Sequence, residues 1–466
     1  MLPKLLSAKA LHQRLQHPGD LLLLDVRNEE EFGRARIETA ATPETVNIPY
    51  MMFIEDDTRD EAIARATAYR KGRKEETGGI LGEKCWRIPM KALGVSLAEH
   101  FGTLEDPRVE HLTDHKLLDI IMVAICAIIC GAETWKDMAM FGQERLEWLR
   151  QFMALENGIP SDDTFGRVFA RLEPEQFQAC FMSWVKAVFA VTKGQVIAVD
   201  GKSARHSYDK ANGKEAVHLV SAWATENHLV LGQRAVEAKS NEITAIPELL
   251  RLLDVSGCIV TIDAMGCQTA IAEQIVAQQA DYVLAVKGNQ ANLQEDMALF
   301  FRLAQQNDFQ KVSYTYARTT NKDHGRVEVR QCWAVAGEDT LRFLREADRW
   351  RGLQTLAMVT SQRQVDGHTT SETRYYITSL PNDAARILHA VRSHWGIENA
   401  LHWVLDVVMA EDSSRIRKDH APENMAALKR FALSLLKQER TLKRGVQGKR
   451  LMAAMNPDYL RKILSV

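Results

Sequence analysis

Two aspartates that follow apolar strand patterns are the first candidates for chemistry. Asp200 ends the run QVIAVD, and Asp263 ends the run CIVTID. In an α/β sheet, an acid just beyond the apolar part of a strand projects into the crevice where ligands bind. A lone aspartate at a strand end is most often a turn or cap residue. Two of them could bind Mg²⁺ together if neighbouring strands carry them.

A third acid is expected on a helix in the segment ILHAVRSHWGIENALHWVLDVVMAED, where a polar stripe recurs every fourth residue: His394, Glu398, His402 and Asp406. Such a stripe drifts by about 40° per step on an α-helix, so at most two neighbours should reach one ion. Zinc is disfavoured because the two histidines lie about 12 Å apart along the axis. Glu398 is the preferred acid, since apolar neighbours would hold its helix against the sheet, and Asp406 is the alternative.

Two strand-end aspartates and one helix glutamate form the acidic triad of two-metal phosphoryl transfer. In that chemistry, paired divalent ions about 3.5 to 4 Å apart activate the attacking oxygen and stabilise the leaving one. Carboxylates are required because Mg²⁺, or Mn²⁺ in its place, prefers oxygen ligands. The pattern therefore predicts Asp200, Asp263 and Glu398 as catalytic residues and ligands of two metal ions.

The composition describes the chain that must position these residues. The chain has 466 residues, of which 46% are hydrophobic and 26% charged, as in a globular protein of roughly two to four domains. The longest nearly uncharged stretch, 120–132, is shorter than the roughly 20 residues needed to cross a bilayer. The seven cysteines are scattered without CxxC pairs. We expect a cytoplasmic protein with reduced thiols and no membrane partner.

Periodicity divides the main part of the chain into four regions. Residues 93–192 have helical spacing, and residues 193–306 alternate strands and helices, as in a mixed five-stranded α/β sheet of ribonuclease H-like architecture. Residues 307–380 are β-rich and predict an insertion. Residues 381–466 are helical and contain a basic run.

Basic residues suggest where a polyanion could bind, although the formal net charge is only -2. Between Lys429 and Lys462, ten Lys or Arg residues face only two acids. Binding follows local charge rather than total charge, so nucleic acid is not excluded. Phosphate contacts are therefore predicted in this run and just past strand ends: Lys443, Arg444, Lys449, Arg450, Lys202, Lys287 and Asn289. For each, a solvated surface role is the competing interpretation.

The N-terminal segment resembles a second family. The pattern LLLLDVRNEEEFGRARI followed by VNIPY is similar to the first half of rhodanese-like domains over about 50 residues. It predicts a rhodanese-like segment at residues 1–79 and a linker at 80–92. A working rhodanese needs a Cys-x-x-Gly-x-x-Arg loop, whose backbone amides stabilise the thiolate. Cys85 is followed instead by WRIPMK. We therefore expect a truncated, partial α/β segment without sulfurtransferase chemistry.

The rest of the chain, about 93–464, resembles the H-repeat-associated insertion-sequence transposases, a DDE family. The motifs that carry the resemblance include IAVDGKSARHSYD, IVTIDAMGCQ, DYVLAVKGNQ, RYYITSL and RSHWGIENALHWVLDVVMAED. The resemblance implies the triad Asp200, Asp263 and Glu398, a helical associated domain before the core and a β-rich insertion. It also implies DNA as partner, a homodimer in the DNA complex and a nucleoid-associated location.

One departure from the family pattern affects the predicted phosphate contacts. Many related transposases have Tyr-x-x-Arg-x-x-x-Glu followed by a lysine seven residues later, and here those three positions hold Val391, His394 and Leu405. Substitutes can be inferred only from position: Arg392, His394 and His402.

The function predicted from the resemblance is cleavage of the element's own ends and strand transfer into target DNA. One alternative is a catalytically inactive DNA-binding relic of such an element, against which the three intact acids argue. The other is a sulfurtransferase with a scaffolding C-terminal part, against which the missing cysteine loop argues.

Overall fold

The computed structural model describes residues 22–24, 52–54 and 97–465, the last range with short gaps at 98, 110, 112, 189–192, 209–212, 237–239, 311, 324–325 and 366–367. The chain divides into two compact units, Met1–Arg87 and Ile88–Val466. In the first unit, β1 (Leu22–Leu24) pairs antiparallel with β2 (Met52–Ile54). β1 coincides with the predicted LLLLD strand, and the rest of the rhodanese-like segment lies outside the described residues.

The second unit begins with helices most of whose apolar residues are buried. They are α1 Leu117–Ile129, α2 Trp135–Glu144, α3 Leu146–Leu149, α4 Asp162–Arg171 and α5 Pro174–Val188. Local polar groups fix where two of these helices begin. Thr134 and Asp137 form a capping box at α2, and the Ser161 side chain accepts a hydrogen bond from the Thr164 amide at α4.

One nine-stranded sheet forms the centre of the second unit, in the order β5-β4-β3-β6-β7-β11-β10-β9-β8. Its strands are β3 Val196–Ser203, β4 His218–Ala224, β5 Leu229–Ala235, β6 Ile259–Ile262, β7 Asp281–Val286, β8 Tyr314–Asp323, β9 Arg326–Ala336, β10 Thr355–Val365 and β11 His368–Thr378. β3, β6 and β7 are parallel, and the other described neighbours are antiparallel. The predicted mixed α/β sheet is thus confirmed.

The β-rich region extends this sheet. β11 pairs antiparallel with β7 through Tyr375–Val286 to Thr378–Val283, so β8 to β11 continue the same sheet beyond β7. β11 also continues its pairing with β10 as far as His368, past the last residue of β7. The hairpin of β10 and β11 therefore projects beyond the carboxyl end of β7.

The remaining helices pack around the sheet and against the N-terminal helices. They are α6 Glu242–Leu252, α7 Thr269–Ala277, α8 Ala291–Gln306, α9 Glu338–Arg342, α10 Ala384–Ile397, α11 Ala421–Gln438, α12 Val446–Met455 and α13 Pro457–Leu464. Phe431 of α11 lies 4.8 Å from the Trp184 ring and 5.7 Å from the Phe101 ring, centroid to centroid. The helical region consequently shares its core with the C-terminal part of the chain. None of the helices in the described part is both long enough and apolar enough to cross a membrane.

Candidate active site

Asp200 and Asp263 lie side by side at the carboxyl ends of two neighbouring parallel strands. The last register pair of β3 and β6 is Val199 with Ile262, and the two aspartates follow it directly. β3 does not end at Asp200, as the sequence predicts, but continues to Ser203 because β4 keeps pairing with it beyond the end of β6. Together with Glu398, the two aspartates line one cavity of about 260 Å³.

The helix that carries Glu398 changes its geometry at that residue. α10 ends at Ile397 and is followed by π-helical segments, Glu398–His402 and Val404–Val408. The Trp403 amide donates to the Glu398 carbonyl, an i to i+5 bond. The wider π turn takes more residues than an α turn, so it offsets the 40° drift of a four-residue step.

Because of the π segments, the polar side chains of Glu398, His402 and Asp406 all face the sheet. His402 Nδ1 lies 3.6 Å from Asp200 Oδ2 and 3.7 Å from Glu398 Oε2. One turn further, Asp406 Oδ1 lies 2.5 Å from Lys202 Nζ on the same strand as Asp200. The expectation that at most two neighbours of the stripe reach one ion stays a prediction, since Glu398 and His402 lie beside Asp200 whereas Asp406 contacts Lys202.

The acids do not share one electrostatic environment. Burial, followed by the nearby carboxylates of Glu398 and Asp263, raises the pKa of Asp200 to about 8. Burial also raises the pKa of Asp263, although its Oδ1 accepts hydrogen bonds from the Met265 and Gly266 amides. The pKa of Glu398 is lowered, chiefly by the neighbouring His402. At neutral pH this cluster needs a proton or a cation to balance Asp200.

The donor set fits a divalent metal ion. Asp200, Glu398 and His402 each offer one ligand atom, and these three atoms lie within 4.8 Å of one another. Asp263 lines the same cavity. His402 is only 5% exposed, and its Nε2 has no hydrogen-bond partner among the described residues. A set dominated by carboxylate oxygens suits Mg²⁺ or Mn²⁺.

Lys202 does not face solvent as a phosphate contact would. It is 8% exposed, and its ammonium lies 3.3 Å from Glu411 and 3.2 Å from Asp412 in addition to the Asp406 contact. The structure corrects the prediction, because Lys202 neutralises three acids behind the site. The same contacts occupy Asp406, which is consequently absent from the cavity that Glu398 lines.

The two histidines predicted as substitutes for phosphate contacts are also turned inward. His394 Nδ1 lies 3.0 Å from the Thr261 hydroxyl, and burial lowers the pKa of His394 to about 4. It is thus neutral at pH 7 and adds no positive charge. His402 is buried against two carboxylates, so its predicted phosphate contact is corrected. His394 lines the acidic cavity, and its contact stays a prediction.

The C-terminal basic run is partly interior. Lys449 donates to the Leu436 carbonyl at 2.9 Å and to the Glu439 carbonyl, and Arg450 donates to the Ile128 and Val408 carbonyls. Lys449 is 8% and Arg450 4% exposed. Both predictions are corrected, because these cations satisfy carbonyls near the ends of helices instead of meeting DNA.

The other predicted contacts remain at the surface. Lys443 and Arg444 are exposed, and exposed Lys287 lines the acidic cavity. Asn289 donates to the Ala264 carbonyl at 2.6 Å and so fixes the loop after Asp263. Arg392 donates to Asn321 of β8 at 2.6 Å.

Sequence reasoning missed two groups near the acids. Arg374 of β11 lines the cavity, and Glu242 lies close enough to contribute to the raised pKa values of Asp200 and Asp263. Glu242 Oε1 is 2.6 Å from His218 Nε2. A β-carbon at Gly201 would lie 2.1 Å from Glu242 Oε1, so this close approach requires glycine beside Asp200. In the sequence, the motif DGK, with glycine directly after Asp200, is the feature that indicates Gly201.

The fold and the site together define an α/β protein with a carboxylate centre suited to divalent metal, beside a helical region. Residues 98–185 match the family model described as DDE_Tnp_1-associated, and residues 191–435 match the transposase DDE domain. The chain belongs to the DDE transposase family, as its sequence motifs predict.

Relatives with transposase names support this assignment. "Putative transposase YncI" of Escherichia coli O157:H7 is 43% identical over 79% of this chain and 94% of its own length. "H repeat-associated putative transposase YhhI" of Escherichia coli (strain K12) is 41% identical over 79% of this chain and 97% of its own length. A cryo-EM structure of a piggyBac transposase synaptic complex with hairpin DNA aligns with 80% of this chain and 78% of that chain, at 11% identity and a TM-score of 0.34, which is too low to carry an argument. The rhodanese-like resemblance of residues 1–79 stays a prediction.

Proposed function

We propose that this chain is an active DNA transposase that cuts strands at the ends of its insertion element and joins them to target DNA. The observation that carries the proposal is the meeting of Asp200, Asp263 and Glu398 at one cavity, with the pKa of Asp200 raised to about 8. A group so perturbed in a cleft is a functional candidate. In this proposal the parallel strands β3, β6 and β7 belong to a ribonuclease H-like core.

The three carboxylates would hold two Mg²⁺ or Mn²⁺ ions, which when bound lower the pKa of water and neutralise charge on the phosphodiester. The chain's own groups orient the carboxylates. The Met265 and Gly266 amides fix Asp263, and His402 lies between Asp200 and Glu398. Lys202 holds the strand of Asp200 to the π-helical segment through Asp406.

The proposed reaction has two steps. Water attacks the phosphodiester at the element end, the bond from phosphorus to the 3′-oxygen breaks, and a 3′-OH and a 5′-phosphate result. That hydroxyl attacks a target phosphodiester in line, and the target strand's own 3′-oxygen leaves as a hydroxyl. Neither step requires a covalent bond between protein and DNA. The proposed partners are the two element ends and the target, with a homodimer formed in the DNA complex and a nucleoid-associated location.

The test is strand cleavage by Asp263→Asn, which removes a charged ligand with little change in volume. We expect cleavage to fall by several orders of magnitude while the fold and DNA binding persist. Asp339→Asn is the matched control, because the Asp339 side chain is fully exposed and remote from the cavity. Cleavage by Asp263→Asn at the parental rate would refute the assignment. DNA binding by the parental chain without metal-dependent cleavage would favour the inactive relic.

A further inference from the structure

Four charged residues lie in a row where neighbouring strands meet the cavity. In the strand order β3-β6-β7-β11 they are Asp200, Asp263, Lys287 and Arg374. The last pair of β7 and β11 is Val286 with Tyr375, so Lys287 and Arg374 occupy the next register position. Ile262 of β6 pairs with Leu284 of β7, so Lys287 and Arg374 lie two residues, about 7 Å, beyond the level of Asp263. Adjacent strands lie about 4.8 Å apart, so the backbone positions from Asp200 to Arg374 span about 16 Å.

Arg374 is held from two sides at the point where β11 extends past β7. Its guanidinium lies 5.0 Å from the Trp395 ring centroid, and its Nε and Nη2 donate to the Glu372 carboxylate at 2.7 Å and 3.0 Å. Its side chain keeps 29% of its surface exposed. Glu372 takes Nε and one Nη2 hydrogen, so the remaining guanidinium hydrogens are the donors that could meet a phosphate.

The position of Arg374 matters because the residue four positions before Glu398, an arginine in many related transposases, is neither lysine nor arginine here. The arginine of the related motif is replaced by His394, which is half-buried and lies 3.0 Å from the Thr261 hydroxyl. Among the described residues that line the cavity, the lysine and arginine side chains are Lys287 and Arg374. A DNA strand approaching three carboxylates needs positive charge close by, and these two groups provide it.

We propose that Arg374 and Lys287 form a phosphate-binding pair that holds the backbone of the DNA strand next to the phosphodiester being cut. This inference rests on the proposed function and adds to it a binding site on the projecting β10–β11 hairpin. A purely structural role for the contacts of Arg374 is the weaker explanation. Trp395 is 45% and the Glu372 side chain 57% exposed, and exposed ion pairs of this kind stabilise little.

The test measures binding of duplex DNA of arbitrary sequence, because phosphate contacts do not depend on sequence. Arg374→Gln and Lys287→Gln should each reduce the slope of log affinity against log salt by about 0.9. Between about 50 and 200 mM salt, each variant should then lose about 3.5-fold less affinity than the parental chain. Arg363→Gln is the matched control, an exposed arginine on β10 of the same hairpin, and should leave the slope unchanged.

Two further measurements distinguish the loss of a phosphate contact from a folding defect. Arg374→Lys keeps the charge and should keep the salt slope, but its cleavage rate at saturating DNA should fall because the fork is lost. Parental salt slopes for both glutamine variants, or equal slopes for these and Arg363→Gln, would overturn the inference. The proposed function fails independently, if parental and Asp263→Asn proteins cleave alike while the salt slopes still report the phosphate contacts.

Discussion

Replacing Lys202 with methionine tests how the strand of Asp200 is held to the helix of Glu398. The change removes the ammonium, whose Nζ lies 2.5 to 3.3 Å from the nearest oxygens of Asp406, Glu411 and Asp412, and puts an apolar, slightly shorter side chain in its place. Removing one partner of a buried ion pair costs about 3–5 kcal/mol. Asp406 and Asp412 are 30% and 26% exposed, so we expect the lower end, about 3 kcal/mol, or about a hundredfold in the unfolding equilibrium.

Urea unfolding without metal or DNA measures this cost, with Lys136→Met as control. Lys136 is exposed on α2, and its substitution should change the free energy of unfolding by less than about 0.5 kcal/mol. Burial acts to raise the pKa of Glu411, but Arg430 and Lys202 hold it below its ordinary value. Stability from such a group is lost as pH falls through its folded pKa.

Without Lys202 the pKa values of Asp406 and Glu411 rise, because Lys202 lowers both, so protonation relieves the repulsion between the acids at mildly acidic pH. The difference between Lys202→Met and the parental chain should shrink as pH falls from about 7 to about 4. A cost below about 1 kcal/mol at neutral pH, or one independent of pH, would refute the ion-pair reasoning, since a simple packing defect does not titrate.

Two other substitutions test the energetic role of charged groups in the protein interior. Arg450→Met should destabilise the protein by about 1–3 kcal/mol in urea unfolding, because it removes the buried hydrogen bonds that Arg450 donates to the Ile128 and Val408 carbonyls. It should not change the salt slope of DNA binding. A reduced slope would return Arg450 to the phosphate contacts. Asp200→Asn should gain stability relative to the metal-free parental chain as pH rises from about 4 to about 8, because a raised carboxyl pKa means that parental stability is lost as pH rises through it. A pH-independent difference between these two proteins in unfolding experiments would show that Asp200 is not so perturbed.

The local part of this architecture could be predicted from the sequence. The apolar runs before Asp200 and Asp263 are strands, and both acids line one cavity with Glu398. Such runs predict strands because a strand that is buried on both faces needs a continuous run of apolar residues. The pattern VSAWAT similarly becomes β4, with its apolar residues buried.

The features that could not be predicted depend on distant contacts. Nothing local indicates that β11 pairs with β7, yet that pairing brings Arg374 to the acids. Residue spacing alone also cannot distinguish an α-helix from the π segments that aim His402 at Asp200. A run of charged residues indicates local charge but not which side chains are buried. The sequence therefore predicts Arg450 as a surface cation, although it is buried.

The central claim is that Asp200, Asp263 and Glu398 form the cleavage centre, and the most direct test compares Glu398→Gln with Asp406→Asn. The assay is single-turnover strand cleavage at the element's ends in Mg²⁺ or Mn²⁺. Glu398→Gln should lose cleavage by several orders of magnitude because Glu398 lines the acidic cavity, whereas Asp406→Asn should retain most of it because Asp406 contacts Lys202. Parental cleavage by Glu398→Gln, with loss in Asp406→Asn, would contradict the account.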